Sequence, residues 1–263
     1  MKSLRATGVF ILVLATAVPL AASVAETAHA SALAPAPDAC TITTDDAAAI
    51  ATAAAQGLSA ELAARRALLT RVIGCAIADA QTLKANLNAA SVQGGAAQNI
   101  QSQLSGQLDD AVTYYNLELG KVAQAGIGGT QGIARETLSW RSGNYDPLAA
   151  RVSNFMLWAK NQALFDTAGD RLGQMKGVVS FIEQAAPNPE LEADIASAES
   201  LIVAANSENM QAEQAQSQAL PPDQVLALIQ QSLQSLSDAY QKFSDISATV
   251  QTLLPTNTAT PAS

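Results

Sequence analysis

Apolar residues recur at heptad spacing near the end of the chain, and this pattern restricts the fold more than any other feature of the sequence. They form two rows on one helix face: Ile229, Leu236, Phe243 and Val250 in the first, and Leu233, Tyr240 and Leu254 in the second. Such rows are typical of coiled coils, in which they pack against a neighbouring helix. We call these residues the C-terminal seam and predict that it has a helical partner.

Helical spacing also dominates the rest of the sequence. In residues 62–122, apolar side chains follow one another in steps of three, four and seven, and alanine, glutamine and serine are abundant. No Val/Ile-rich alternating stretch indicates a β-strand. The sequence therefore predicts an all-α fold, an elongated up-and-down antiparallel bundle of five to six helices with a coiled-coil-like C-terminal hairpin.

Short polar and proline motifs predict where the helices begin and end. Thr43-Thr44-Asp45-Asp46 has the threonine cap and the acids of a helix start, with a pause at Gly57. Thr130 is a second candidate cap, Ser142-Gly143-Asn144 a break, and Asp146-Pro147 the next start. The predicted organisation is a signal peptide (1–30), an extended segment (31–44), a helical bundle (45–186), a hairpin packed on or extending it (187–254), and a disordered tail (255–263).

The first 30 residues have the three parts of a secretory signal. A basic start is followed by an uncharged stretch (6–25) and by Ala28-His29-Ala30 as a cleavage site. We expect export to the periplasm, the cell surface or the medium; a retained N-terminal anchor is the alternative, because the stretch is just long enough to span a bilayer. Cleavage removes Lys2, Arg5 and Glu26, which leaves 12 basic and 22 acidic side chains. The resulting charge of −10 disfavours binding to nucleic acid or anionic membranes.

The chain contains one histidine, His29, and it lies in the predicted signal. The mature chain would then have no imidazole for a catalytic triad, a general base or a metal site. Its carboxylates are scattered and lack the spacing of a calcium loop. We therefore expect no enzyme activity, no catalytic residue, no bound metal and no cofactor.

Two cysteines, Cys40 and Cys75, follow the signal. In an exported protein such a pair predicts a structural disulfide. It would close a loop of about 36 residues and stabilise the fold by roughly 3–4 kcal/mol. The bond would tie the extended N-terminal segment to the first long helix.

The middle of the chain is aromatic and locally basic. Residues 114–165 contain seven of the ten aromatic residues outside the signal, and residues 130–176 carry six basic side chains against four acids. Ring stacking and guanidinium contacts could bind an anionic or glycan ligand there, with Trp140, Arg141, Tyr145, Arg151 and Trp158 as the candidate residues. One alternative is that these rings are the core of an alanine-rich bundle, with arginine stems over them. Another is attraction to the acidic C-terminal hairpin.

Gly169, Gly173 and Gly177 recur every four residues on the predicted fourth helix. In a membrane this spacing would indicate a helix-pairing face, but the charged neighbours exclude a span. The pattern favours a smooth groove where another helix packs closely. A flexible joint and a docking groove for a partner are the alternatives.

The leading functional hypothesis is an exported, non-enzymatic helical protein that acts through protein–protein contacts in the cell envelope or extracellular space. The C-terminal seam would contact another protein or a second copy of the chain, because its apolar face is wider than one polar neighbouring helix can cover. An internal hairpin is the alternative use of the seam. The second hypothesis is an extracytoplasmic ligand-binding or sensor domain that uses the aromatic middle.

Overall fold

The computed structural model describes residues 42–184 and 187–253, where the chain is helical and has no β-strand. The predicted all-α helical-bundle fold is confirmed. The predicted signal, the extended segment before Ile42 and the predicted tail lie outside the described residues. A π-helical turn, Arg141–Tyr145, joins the fourth α-helix to the fifth. The α-helices are α1 (Thr44–Gln56), α2 (Leu58–Ala89), α3 (Gly95–Val122), α4 (Ile127–Trp140), α5 (Asp146–Glu183), α6 (Pro189–Ser217) and α7 (Pro222–Leu253).

The predicted start of the first helix is confirmed. Thr43 and Asp46 form a capping box, in which the Thr43 backbone N–H donates to Asp46 Oδ2 at 2.8 Å and the Asp46 N–H donates to Thr43 Oγ1 at 3.3 Å. The predicted pause is also present, because Gly57 has φ 119°, a conformation that favours glycine, between α1 and α2. An ion pair of 2.7 Å between Arg71 and Asp46 holds α1 against α2.

The junction between α4 and α5 differs from the prediction. The sequence predicts a break at Ser142-Gly143-Asn144, but the chain stays helical, because the polar side chains bond to carbonyls of the preceding turn, as Asn144 Nδ2 does to Trp140 at 3.1 Å. Thr130 is not a cap. It lies inside α4, where its hydroxyl donates to the Ile127 carbonyl at 2.7 Å. Asp146 begins α5 directly after the π-helical turn.

The described chain divides into two compact units. The N-terminal unit comprises residues 42–159 and 216–222, and the C-terminal unit comprises residues 160–184, 187–215 and 223–253. The division falls within α5, whereas the sequence placed its boundary at residue 186. The second half of α5 belongs with α6 and α7 because its apolar row, Leu172, Met175, Val179 and Ile182, shares one core with theirs.

Within the N-terminal unit, α2 and α3 run antiparallel. Gln101 Nε2 donates to the Leu87 carbonyl at 2.7 Å near the turn, and Arg66 Nη2 donates to the Ala125 carbonyl at 2.8 Å at the other end. The core row of α3 follows the spacing in the sequence: Ala97, Ile100, Leu104, Leu108, Ala111, Tyr115, Glu118 and Val122 are buried. This packing presents the aromatic residues of α3 to α4 and to the π-helical turn.

The C-terminal unit is a three-helix arrangement in which α6 runs antiparallel to both α5 and α7. Side-chain pairs at two levels establish each direction: Asn161–Asn209 and Lys176–Glu199 between α5 and α6, and Ser235–Glu208 and Lys242–Asp194 between α7 and α6. The predicted hairpin of α6 and α7 therefore has a third helix beside it. That helix is the part of α5 after Ala159.

The C-terminal seam is buried in this unit, with its second row displaced by one residue. The first row is as predicted, since Ile229, Leu236, Phe243 and Val250 are buried. The second buried row is Val225, Ser232, Ala239 and Ile246, while Leu233 and Tyr240 are half-buried at its edge. Leu254 lies outside the described residues. Because α5 and α6 cover this face together, the seam is not a free surface for a partner.

A polar layer interrupts the apolar core of the C-terminal unit. Asn161 of α5 donates through Nδ2 to Asn209 Oδ1 of α6 at 3.0 Å and to Ser232 Oγ of α7 at 2.9 Å. The Ser232 hydroxyl donates to the Ala205 carbonyl at 2.8 Å. All three side chains are buried. Because a slip of one helix would separate these partners, the layer fixes the register of the three helices.

No other described helix packs closely against Gly169, Gly173 or Gly177. All three are exposed, and a Cβ atom added to any of them would meet nothing within 4 Å. The expectation of a close helix contact inside the fold is therefore wrong. A tight contact fails to form because the core-facing side of α5 lies elsewhere, along Leu172, Met175 and Val179.

In residues 42–184 and 187–253, no helix combines the length and the apolar character that crossing a bilayer requires.

Candidate functional site

Three of the five candidate ligand residues come together in the N-terminal unit, at the α4–α5 junction. Trp140 stacks on Tyr114 of α3, with ring centroids 4.0 Å apart and planes inclined by 13°. Tyr115 meets the edges of Trp140 and Tyr145 at 5.3 and 5.8 Å. Arg141 lies over the Tyr145 ring, 5.3 Å from its centroid. The π-helical turn brings Tyr145 against Tyr115 of α3 and Arg141 over the Tyr145 ring.

The charged and hydroxyl groups of this cluster bond to one another. Tyr145 Oη donates to Asp79 Oδ2 of α2 at 2.8 Å. Arg141 pairs with Asp146 at 3.1 Å and with Asp79 at 3.8 Å. The guanidinium is therefore neutralised by two carboxylates and has little remaining attraction for an anionic ligand. Tyr145 itself is only 1% exposed, and a ligand could not reach its ring.

The other two candidate residues lie away from this cluster. Arg151 of α5 donates to Gln107 Oε1 of α3 at 3.3 Å. Trp158 is 2% exposed and packs against Phe155, with ring centroids 5.5 Å apart. For Tyr145 and Trp158, these positions favour the interpretation that the rings are core residues. Trp140 keeps partial exposure beside Tyr114.

Two residues near this cluster were not predicted from the sequence. Asp79 joins the cluster from α2, and no local motif marks it. Glu118 occupies a core position of α3 with 3% exposure, and Lys121 Nζ donates to its Oε1 at 2.6 Å. That hydrogen bond is the main cause of the raised pKa of Lys121. The three-and-four spacing of the α3 core row, extended past Tyr115, could have identified Glu118 as buried.

Alkaline titration is expected to couple tyrosine ionisation to unfolding. Burial raises the pKa of Tyr115 to about 12 and is the main cause of the raised pKa values of Tyr114, Tyr145 and Tyr240. Above about pH 10 the unfolded chain releases phenolic protons that the folded chain retains, so the free energy of unfolding falls as pH rises from about 10 towards 12. Tyrosinate absorbance should therefore appear together with loss of circular dichroism at helical wavelengths. Ionisation near pH 10 with the helices intact would contradict this assignment.

Cys75 lies half-buried on α2. Cys40, its predicted disulfide partner, lies outside the described residues, and the bond stays a prediction. Among the described residues, no three His, Cys, Asp or Glu side chains are grouped so that they could hold a metal ion.

The outer face of α6 carries two large apolar side chains that no sequence pattern singled out. Val203 is 65% exposed and Met210 is 60% exposed. They are seven residues apart and therefore share one helix face. Both fall outside the buried row of α6, which includes Leu191, Ala198 and Ala205. An apolar pair at heptad spacing outside the main row was the available sequence signal.

Comparisons with protein-family models, with curated proteins and with solved structures find no match to this chain.

Proposed function

We propose that the protein is exported and acts without catalysis, through protein–protein contacts in the cell envelope or the extracellular space. The observation that carries the proposal is the exposure of Val203 and Met210 on one face of α6. Burying a fully exposed side chain of this size is worth about 1.5–3 kcal/mol, and covering the exposed parts of Val203 and Met210 would contribute a corresponding share to the docking of a partner helix. The contact surface is therefore the outside of α6 instead of the C-terminal seam.

Two further observations support a role without catalysis. The candidate rings and guanidinium groups of the middle segment are used inside the fold, with Tyr145 and Trp158 buried and Arg141 paired twice. The only histidine, His29, belongs to the segment that we expect to be removed. The chain then lacks the group most often used for proton transfer near neutral pH.

Export would place Cys40 and Cys75 in an oxidising compartment, and we include their disulfide in the proposal. Arg71 and Asp46 pair at 2.7 Å between α1 and α2. In the sequence, Cys75 follows Arg71 by four residues and Cys40 precedes Asp46 by six. This short spacing on both sides of the ion pair supports the proposed bond.

Export and the disulfide can be tested on protein recovered from the producing cell. The expected product begins at Ser31 and is found outside the cytoplasm. Its intact mass should lack the two thiol hydrogens, and reduction should lower its thermal midpoint, because the closed loop is worth roughly 3–4 kcal/mol. A Cys75→Ser variant should match the reduced protein. A cytoplasmic protein with both thiols free would contradict this part of the proposal.

Protein contact can be tested by site-specific photo-crosslinking in intact cells. A photoreactive residue at position 203 should produce a discrete crosslinked species, and the same residue at position 116, exposed on α3, should not. Light scattering on the purified chain then separates a second copy from another protein. If position 203 crosslinks to nothing beyond what position 116 gives, the proposed function is rejected.

A further inference from the structure

Between the outer faces of α5 and α6 in the C-terminal unit lies a strip of surface that we call the groove, defined by Gly169, Gly173, Val203 and Met210. Lys176 of α5 pairs with Glu199 of α6 at 2.8 Å and bridges the two helices. Gly173 and Gly169 precede Lys176 by three and seven residues, so they lie on its side of α5. Val203 follows Glu199 by four residues on α6. Because the helices are antiparallel, the two glycines lie alongside the exposed residues of α6.

The glycines of this groove have no role in the packing of the described fold. A Cβ atom at Gly169 or Gly173 would meet nothing within 4 Å. Glycine inside a helix is less stable than alanine, so the fold alone would favour alanine at both positions. Glycine does allow the backbone of another helix to approach closely. The opposite wall is apolar, since Val203 and Met210 are 65% and 60% exposed.

The negative charge near the groove favours an occupant that carries positive charge. Helix α6 carries six carboxylates and no lysine or arginine: Glu190, Glu192, Asp194, Glu199, Glu208 and Glu213. Asp194 and Glu208 contact Lys242 and Ser235 of α7, so they lie on the side of α6 away from the groove. Glu199 pairs with Lys176 of α5. Glu192 and Glu213 lie seven residues before and fourteen residues after Glu199, so they share its groove-side face. A second copy of this chain, with a formal charge of −9, would bring like charge against α6. A cationic partner gains from the same field.

We infer that the groove formed by Gly169, Gly173, Val203 and Met210 binds an amphipathic helical segment of another protein. The segment presents small and aliphatic side chains to the groove and carries lysine or arginine along its edges, towards the carboxylates of α6. This inference rests on the proposed function and adds the chemistry of the partner and the position where it docks.

The probe is a synthetic helical peptide with Leu and Ala on one face and Lys on the other. Its controls are a scrambled peptide of the same composition, which has no apolar face, and a peptide in which Glu replaces Lys. Fluorescence anisotropy measures their binding to the purified full chain. The decisive variant is Gly173→Leu, which fills the groove. Gly106→Leu is the matched control, because Gly106 is also exposed inside a helix and has open space around it.

The Lys peptide should bind the parent chain at least about tenfold more tightly than either control peptide, and added salt should weaken its binding. Gly173→Leu should weaken the Lys peptide about tenfold or more, because its side chain excludes the docked helix. Gly106→Leu should leave binding unchanged. Both variants should keep or raise the thermal midpoint, since leucine favours the helix more than glycine does.

Three outcomes would overturn the inference. They are equal binding of the scrambled peptide, unchanged binding to Gly173→Leu, and a dimer of the chain that Gly173→Leu abolishes, which would assign the groove to a second copy. The proposed function fails separately. If the cellular crosslink from position 203 persists in Gly173→Leu, the contact function stands and the cationic helix in the groove is rejected. If the peptide binds as expected and no cellular crosslink forms, the groove chemistry stands and the proposed function is rejected.

Discussion

Leu236→Ala is expected to lower the free energy of unfolding by about 3 kcal/mol without changing the molar mass in solution. Leu236 is 3% exposed and packs with Ala168 of α5 and Ala205 of α6 in the same chain. The two alanines cannot extend into the space that the substitution leaves, so much of the cavity persists. Urea unfolding monitored by circular dichroism gives the free energy, and light scattering gives the mass.

Leu233→Ala is the matched control for this prediction. Leu233 lies one residue outside the second buried row and is only half-buried. We expect its removal to cost about 1 kcal/mol or less, because less apolar surface leaves contact with protein. Equal losses at the two positions would contradict the register of α7. A change from oligomer to monomer in Leu236→Ala would show that the C-terminal seam joins copies of the chain.

Asn161→Asp is expected to destabilise the protein by about 3 kcal/mol at neutral pH. The substitution replaces the donor Nδ2, which bonds to Asn209 and Ser232, by an oxygen in a site that is 1% exposed. A buried carboxylate either keeps an uncompensated charge or takes up a proton, so its pKa in the folded state rises above that in the unfolded chain. Chemical unfolding at pH 7 measures the loss.

The pH dependence of the free energy of unfolding of Asn161→Asp distinguishes a buried carboxylate from a packing defect. Because the folded variant would retain a proton that the unfolded chain releases, its deficit relative to the parent chain should shrink as pH falls below the raised folded-state pKa. Asn206→Asp on the exposed face of α6 makes the same chemical change in water and should alter stability by about 0.5 kcal/mol or less. A deficit at residue 161 that does not depend on pH would reject the buried-carboxylate explanation.

The sequence predicted the helices well where strong local signals exist. The start at Thr43, the pause at Gly57 and the first row of the seam are confirmed. The second row was displaced because hydropathy favours Leu233 and Tyr240, while the structure buries Ser232 and Ala239. Small and polar residues give almost no hydrophobic signal. Their burial follows from the close approach of three helices and from the hydrogen bonds of Asn161.

The sequence identified the candidate ligand residues by residue type, but it could not predict the environment of each side chain. From the sequence alone, rings and guanidinium groups are equally compatible with a binding site and with a core. Whether Arg141 and Tyr145 can contact a ligand depends on Asp79 of α2, which bonds to both side chains and lies far from them in the sequence. The same applies to the glycines of α5, since their exposure depends on which face of α5 turns towards α6 and α7.

The sequence by itself determined that this chain forms helices and where most of them begin, because capping, glycine conformation and three-to-four spacing act within a few turns of one helix. Tertiary structure alone decided that Ser232 and Ala239 are buried on α7, where the compact units divide within α5, and that Val203 and Met210 stay exposed. Those outcomes depend on contacts between residues far apart in the chain, which the pattern of a single segment does not specify.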